Sequence, residues 1–299
     1  MYNCISYLDI IIDNFNTIIS GFNGDPTFGG RSDGLFLNYS NNPEILKIVN
    51  NGANNYYYTE FNSIVSDNSG NYYLGGFTNI VGGDISDTKK NGSGQNDGLL
   101  VKIDSSGNIL WTKTYASPSN IGSMVLYNNE LYLTGVTQVY KADLNGNIIL
   151  TKSSNAIQYN ELKIDSNNQY LYAVGEDFSQ NGLVTKFDLN FNQVWNYSTG
   201  IKANLKDFIF NTSSEIIVVG NQNTIQTTTG NITLPIMAKI NTSGAEIWKQ
   251  DYFQFPIYPS LISTTAKAKF NSIVKLNNKF YIVGQGSGTT AIWLEIDEI

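Results

Sequence analysis

The sequence predicts an all-β fold built from one four-stranded module repeated along the chain. Three observations carry this. A short apolar run ending in glycine recurs six times, turn residues fall at regular intervals between apolar runs, and no segment shows a convincing 3.6-residue apolar period.

The glycine-ending runs are Ile18-Ile19-Ser20-Gly21, Tyr73-Leu74-Gly75-Gly76, Tyr132-Leu133-Thr134-Gly135, Tyr172-Ala173-Val174-Gly175, Ile217-Val218-Val219-Gly220 and Tyr281-Ile282-Val283-Gly284. Before each lies another apolar run, such as Asn62-Ser63-Ile64-Val65, joined to it by a polar turn such as Asp67-Asn68-Ser69-Gly70-Asn71. That pairing is a β-hairpin. A third run follows with a shared ending, Leu100-Val101-Lys102-Ile103-Asp104 in one copy and Val184-Thr185-Lys186-Phe187-Asp188 in another. A turn then leads to a fourth run, Ile109-Leu110-Trp111-Thr112-Lys113, with counterparts ending at Lys152, Asn196 and Lys249.

Four short strands every ~40 to 60 residues is the period of a β-propeller blade. The expected fold is therefore a single domain, 1–299, a six-bladed β-propeller of four-stranded antiparallel blades. Its blades fall at about 7–59, 60–120, 121–158, 159–203, 204–260 and 261–299. The last unit stops after its third strand, so residues 2–6 are expected to close it and spare the sheet an open edge.

Composition narrows the function classes. The chain has 299 residues, 41% hydrophobic and 14% charged, with 18 basic against 25 acidic side chains and a formal charge of −7. Arg31 is the only arginine and there is no histidine. A basic track for nucleic acid is absent. No Ser/His or Cys/His dyad can form, and no imidazole can bind a metal. Cys4 is the only cysteine, so no internal disulfide contributes. The N-terminal residues do not read as a signal peptide, and no run is long and apolar enough to insert in a membrane.

The Asp-x-x-Gly turns followed by tryptophan resemble a family of bacterial tandem-repeat β-propellers whose blades run Asp-Gly-x-x-Val-x-Lys-Asp-x-x-Gly-x-x-x-Trp. The match is clearest over residues 97–111 and partial over 182–195 and 237–248. The pattern is distantly similar to quinoprotein-type propeller repeats. Such a resemblance implies a scaffold and no single activity.

Features shared by every unit are expected to serve the scaffold. Trp111, Trp195 and Trp248 read as packing between blades, and Lys102, Lys141, Lys186 and Lys239 as stems packed with the ammonium at the rim. Departures from the repeat are the candidate site. Long connections at 23–33, 50–59, 78–97, 222–234 and 251–269 all fall in the group of connections expected on one face of the disc. They hold Tyr56, Tyr57, Tyr58, Phe253, Phe255 and Tyr258, aromatics suited to a protein hot spot or to glycan stacking, or else to plugging the loops onto the blades. Arg31 is expected to pair with Asp25 or Asp33. The 82–97 segment carries Asp84, Asp87 and Asp97, but its spacing matches no calcium loop, and a solvated, flexible loop is expected there.

Enzyme activity is judged by subtraction. One arginine cannot supply the three-Arg cluster of sialidase-like propellers, and a quinoprotein base would be a histidine. A two-carboxylate glycosidase drawn from Asp25, Asp84 and Asp87 is the surviving enzymatic alternative. The preferred reading is a non-enzymatic interaction module with no cofactor and no metal site. It would be a structural or assembly component of a bacteriophage virion or other surface assembly, docking through the long-loop face to other protein subunits. The alternative is a glycan-binding adhesin or receptor-binding head. The expected location is a virion or extracellular assembly, and otherwise the cytoplasm.

Overall fold

The structure is a computed structural model that describes residues 4–13, 16–25, 31–39, 45–49, 57–92, 94–165, 167, 169–227, 230–251, 268–286 and 291–297. The chain divides into two compact units, 1–153 and 154–299. Among the described residues there is no helix, and every pairing between strands is antiparallel.

In the first unit β1 (Cys4–Asp13), β2 (Asn16–Asp25), β3 (Arg31–Tyr39) and β4 (Ile45–Val49) form one sheet in chain order. The strands β5 (Thr59–Ser66), β6 (Asn71–Thr78), β7 (Asp97–Asp104) and β8 (Ile109–Tyr115) form the next. Then come β9 (Met124–Tyr127), β10 (Glu130–Thr134), β11 (Val136–Asp143) and the start of β12 (Ile148–Ile164).

The second unit continues β12 into β13 (Tyr170–Asp177), β14 (Asn181–Asp188), β15 (Gln193–Thr212), β16 (Glu215–Thr227), β17 (Gly230–Asn241) and β18 (Glu246–Asp251). A three-stranded sheet of β19 (Lys269–Leu276), β20 (Lys279–Gln285) and β21 (Ala291–Asp297) ends it. The 20-residue β15 changes partner midway: Gln193 to Lys202 pair with β14, and Ala203 to Thr212 pair with β16. One strand thus ends one four-stranded set and begins the next.

The core lies between successive sheets. On β6 and β7, Tyr72, Leu74, Leu99, Val101 and Ile103 pack with Ile18, Phe36 and Val49 of the first sheet. The intervening Tyr73 and Leu100 face the other way, onto Leu131, Leu133 and Tyr140. In the second unit β16 splits the same way, Ile216 and Val218 to one layer and Ile217 and Val219 to the other. Period-two alternation with both faces apolar is why these strands read as continuous hydrophobic runs. Each fully buried aliphatic side chain contributes roughly 1.5–3 kcal/mol.

The recurring glycine has a steric cause. In β5, β12, β15 and β19 a bulge follows Phe61, Tyr159, Leu205 and Phe270, the residues that pair with Gly76, Gly175, Gly220 and Gly284. The bulged backbone presses on the glycine: a Cβ on Gly76 would lie 1.8 Å from the Glu60 carbonyl oxygen, and one on Gly220 2.3 Å from that of Asn204. No side chain fits there.

The turns after the third strands are also explained. Asp104 Oδ1 accepts from the N–H groups of Ser106 and Asn108 at 2.9 and 2.8 Å, and Oδ2 from Asn108 Nδ2 at 2.9 Å. Asp143 and Asp188 repeat the arrangement. The fourth residue takes positive φ, 82° at Gly107 and 76° at Gly146, and Phe191 adopts 54° in the same place. These aspartates are hairpin turns, as expected. Burial raises the Asp104 carboxyl, but bonds from the Asn108 side chain and the two backbone N–H groups outweigh it and hold the pKa below the ordinary 3.8.

Three expectations are corrected. Residues 2–6 were to complete the last sheet, yet Cys4, Ile5 and Ser6 extend β1 and pair with Gly24, Asn23 and Phe22; residues 2 and 3 lie outside the described residues. The connections 23–33 and 222–234 are largely ladder and not loop: Asp25 pairs with Arg31, and Thr227 with Gly230. In all three cases extending an existing hairpin satisfies backbone groups that a free segment would leave to solvent. The third correction, at residues 82–97, concerns the site.

Candidate functional site

The connection from β6 to β7 is folded onto its own sheet by carboxylates. Asp97, fully buried at the start of β7, accepts from the N–H groups of Lys90 at 2.7 Å and Asn91 at 2.8 Å, with the Lys89 ammonium 2.8 Å away. Asp87 Oδ2 accepts from the Thr114 N–H at 2.8 Å and hydroxyl at 3.2 Å, while Oδ1 receives the Thr88 N–H. Ser86 N–H donates to Thr112 Oγ1 at 3.0 Å. The segment therefore runs along β8, the edge strand of its sheet, and is stapled to alternate threonines there. Residues 84–91 are thus anchored to the sheet where composition predicts a free loop, while Ser86, Thr88, Lys90 and residues 94–96 stay exposed to solvent.

Its three aspartates do not converge. Asp84 lies 3.2 Å from Lys47 Nζ, Asp87 3.3 Å from Lys90 Nζ, and Asp97 is held by Lys89. Burial raises the Asp87 carboxyl, but bonds from Thr114 and Thr88 and the Lys90 ammonium more than offset it, so its pKa lies below the ordinary value.

The predicted aromatics are only partly within the described residues. Tyr56, Phe253, Phe255 and Tyr258 lie outside them. The Tyr57 carbonyl accepts from the Ser32 N–H at 3.0 Å. Tyr58 is 37% exposed, donates its N–H to Asn79 Oδ1 at 2.8 Å and accepts from the Asn79 N–H at 3.1 Å. Arg31, at the start of β3, has its backbone opposite Asp25. The fold thus brings together the β2–β3 hairpin, Tyr57 and Tyr58, and the start of the 79–96 connection.

Glu60 belongs to this cluster and escaped sequence reading. It accepts from Ser32 Oγ at 3.3 Å, and burial raises its pKa above the ordinary 4.5 although the Ser32 hydroxyl pulls it back. Nothing in its local sequence marks it, since it sits in an ordinary inner strand. Nearby in the chain, Asn91, Gly94, Gln95, Asn96, Ala116 and Ser119 line an open, amide-rich hollow of about 530 Å³.

A second polar network, in the second unit, was also missed. Asn160 Nδ2 donates to Asn204 Oδ1 at 2.5 Å and to the Leu205 carbonyl at 2.6 Å, and Asn204 Nδ2 to Glu176 Oε2 at 3.0 Å. Burial lowers the Lys206 pKa, the Lys269 ammonium adds to this, and Glu176 opposes it. The repeated lysines are structural: Lys102 and Lys141 sit over Tyr73 and Tyr132, and Lys141 and Lys239 pair with Glu130 and Glu215 at 2.6 and 2.9 Å. Trp195 donates Nε1–H to the Thr242 carbonyl at 3.0 Å, packing one sheet on the turn of the next.

Within each unit, antiparallel sheets pack face to face through apolar layers, as the blades of β-propellers do. The chain is similar to a solved structure described as the crystal structure of the Mitotic Checkpoint Complex, with 11% identity and a TM-score of 0.59 over 96% of this chain and 78% of that one. It is also similar to the Pan2 WD40 domain of Neurospora crassa, with 11% identity and a TM-score of 0.53 over 98% of this chain and 90% of that one. At such identities the likeness establishes the fold. No protein-family model matches the chain, and no curated protein matches its sequence. No helix among the described residues is long and apolar enough to cross a membrane.

Proposed function

We propose that this chain is a non-enzymatic β-propeller interaction module of six four-stranded blades, docking to other protein subunits through the end of the sheets that carries the long connections. The supporting observation is the 79–96 connection. It is a long excursion pre-folded by Asp87 and Asp97, with exposed Tyr58 anchored at its root. A surface ordered before binding loses little entropy on docking, and tyrosine at its edge offers a large apolar contact with a polar tip. A related fold solved within a checkpoint complex is in keeping with this role.

The assembly we favour is a bacteriophage virion or similar surface structure, a reading that rests on the resemblance of the blade repeats to bacterial tandem-repeat propellers. No reaction is assigned: the chain has no histidine and one arginine, and Asp84 and Asp87 are committed to lysine and backbone partners. Mass spectrometry of purified particles tests the proposal. Fixed stoichiometry with other subunits is expected, lost in Tyr57→Ala and Tyr58→Ala variants that still fold; a free monomer in every fraction would refute it.

The amide-lined hollow favours one second reading, a glycan-binding head, because neutral amides hydrogen-bond sugar hydroxyls without a charge requirement. Binding on a glycan array that Gln95→Ala abolishes and Tyr58→Ala spares would select it.

A further inference from the structure

The last sheet departs from the repeat in two coupled ways. Every earlier third strand, β3, β7, β11, β14 and β17, is flanked by a fourth strand, whereas among the described residues β21 pairs with β20 alone. The second departure is in charge. In β7, β11, β14 and β17 the third strand carries a lysine at one shared register, and in β3 Asn38 stands there; Lys141 pairs with Glu130, and Lys239 with Glu215. At the matching register of β21 stands Glu295, opposite Tyr281 as Lys102 is opposite Tyr73, and its partner is Lys279. The ion pair is reversed.

In three complete sheets the fourth strand sets a tryptophan opposite the lysine. Lys102, Lys186 and Lys239 are directly cross-strand from Trp111, Trp195 and Trp248. Lys102 and Lys186 also set their ammoniums over tyrosine rings, Tyr73 and Tyr172, a contact that a carboxylate at this register does not make. Trp293, two residues away, is 62% exposed, but its counterpart Leu100 is buried against the next sheet, so that exposure belongs to the sheet face and not to the edge. What distinguishes the edge of β21 is the charge it sets toward a fourth strand.

We propose that β21 is a β-augmentation site for an extended segment of a partner polypeptide, added antiparallel with a basic residue, in place of tryptophan, opposite Glu295. Backbone hydrogen bonds along β21 supply affinity, and the Glu295 pairing supplies selectivity. The contact involves neither Tyr57, Tyr58 nor the 79–96 connection.

The probe is a synthetic peptide of residues 107–115, the fourth strand of the second sheet, in its native form and as Trp111→Lys. Amide hydrogen exchange on the full chain should show the outward amides of β21 exchanging fast, and slowing when peptide is added. The Trp111→Lys peptide should bind about threefold tighter than the native one, as opposite-charge cross-strand pairs allow. Glu295→Lys, which also removes the pair with Lys279, should invert that order, and Glu295→Gln should abolish the difference between the two peptides while the chain stays folded. Three results would overturn the proposal: β21 amides already protected in the isolated monomer, protection that rises with protein concentration alone and so identifies a second copy as the occupant, or no peptide-induced slowing at millimolar peptide.

Discussion

Asp9 and Asp207 make the same pair of contacts in different units. Each Oδ1 accepts from the N–H of the following residue, Ile10 at 2.8 Å and Phe208 at 2.7 Å. Each Oδ2 reaches the inner strand of the next sheet, to the Ile64 N–H at 2.8 Å and the Ile273 N–H at 2.9 Å. Both sit just after the inner-strand bulge that faces the repeated glycine. The bulge turns the carboxylate out of its own ladder and aims it at the neighbouring sheet.

Asp207 carries more than the shared contacts, since Lys163 Nζ and Ser272 Oγ also donate to it at 2.6 and 2.7 Å. Asp207→Ala removes the acceptor shared by the Phe208 and Ile273 N–H groups and the Ser272 hydroxyl, while Lys163 keeps the Phe208 carbonyl. The substitution should cost about 3 kcal/mol in urea denaturation. A loss below about 1 kcal/mol would show that the sheets hold register without it.

The bulge also sets the tolerance of the glycines. Gly220→Ala forces a Cβ to within 2.7 Å of Leu205 Cα and should destabilise by about 3 kcal/mol, whereas Gly94→Ala meets nothing within 4 Å and pays only for its φ of 77°, about 1 kcal/mol. Equal losses at the two sites would refute the steric account.

Asp67, Asp104 and Asp143 all have depressed carboxyl pKa values: burial raises each, and the bonds from Asn71, Asn108 and Asn147 outweigh it. The folded state therefore binds protons more weakly than the unfolded chain. Their stabilisation is complete above the ordinary 3.8 and is lost as pH falls through the lower folded values. The urea midpoint should drop below about pH 4, and less steeply in an Asp104→Asn, Asp143→Asn double variant. Asn241 already performs the same turn with an amide, accepting from the Ser243 and Ala245 N–H groups, so the fold tolerates the change.

Glu60 behaves oppositely. Burial is the leading cause of its raised pKa, so the folded state holds the proton more tightly and loses stability as pH rises from the unfolded toward the folded value. Glu60→Gln retains an acceptor for Ser32 and should raise the melting temperature at pH 7, with the gain gone at pH 4. A gain at both values would point to packing and not to charge.

Asp87→Ala should free the 84–91 segment from β8. The Thr114 amide and residues 87–91 are expected to exchange faster, with a global loss of only about 1 kcal/mol because the strands beneath are unaffected. Unchanged exchange would mean that Asp97 alone holds the connection.

The sequence by itself determined the strands and their repeated order. Alternating apolar side chains, a glycine at one fixed register and Asp-x-x-Gly-Asn turns are each local consequences of backbone and side-chain chemistry, so they survive in a single chain read without partners. Tyr57, Tyr58, Asp84 and Asp87 were legible as departures from the repeat, but their roles were not. Only tertiary structure decided that Asp87 and Asp97 fold a polar connection onto β8, that Glu60 joins Ser32, that Cys4 to Ser6 lengthen β1, and that the inner-strand aspartates bridge sheets. Each of these depends on which distant donor lies within 3 Å of an oxygen, and residue type and spacing fix no such distance.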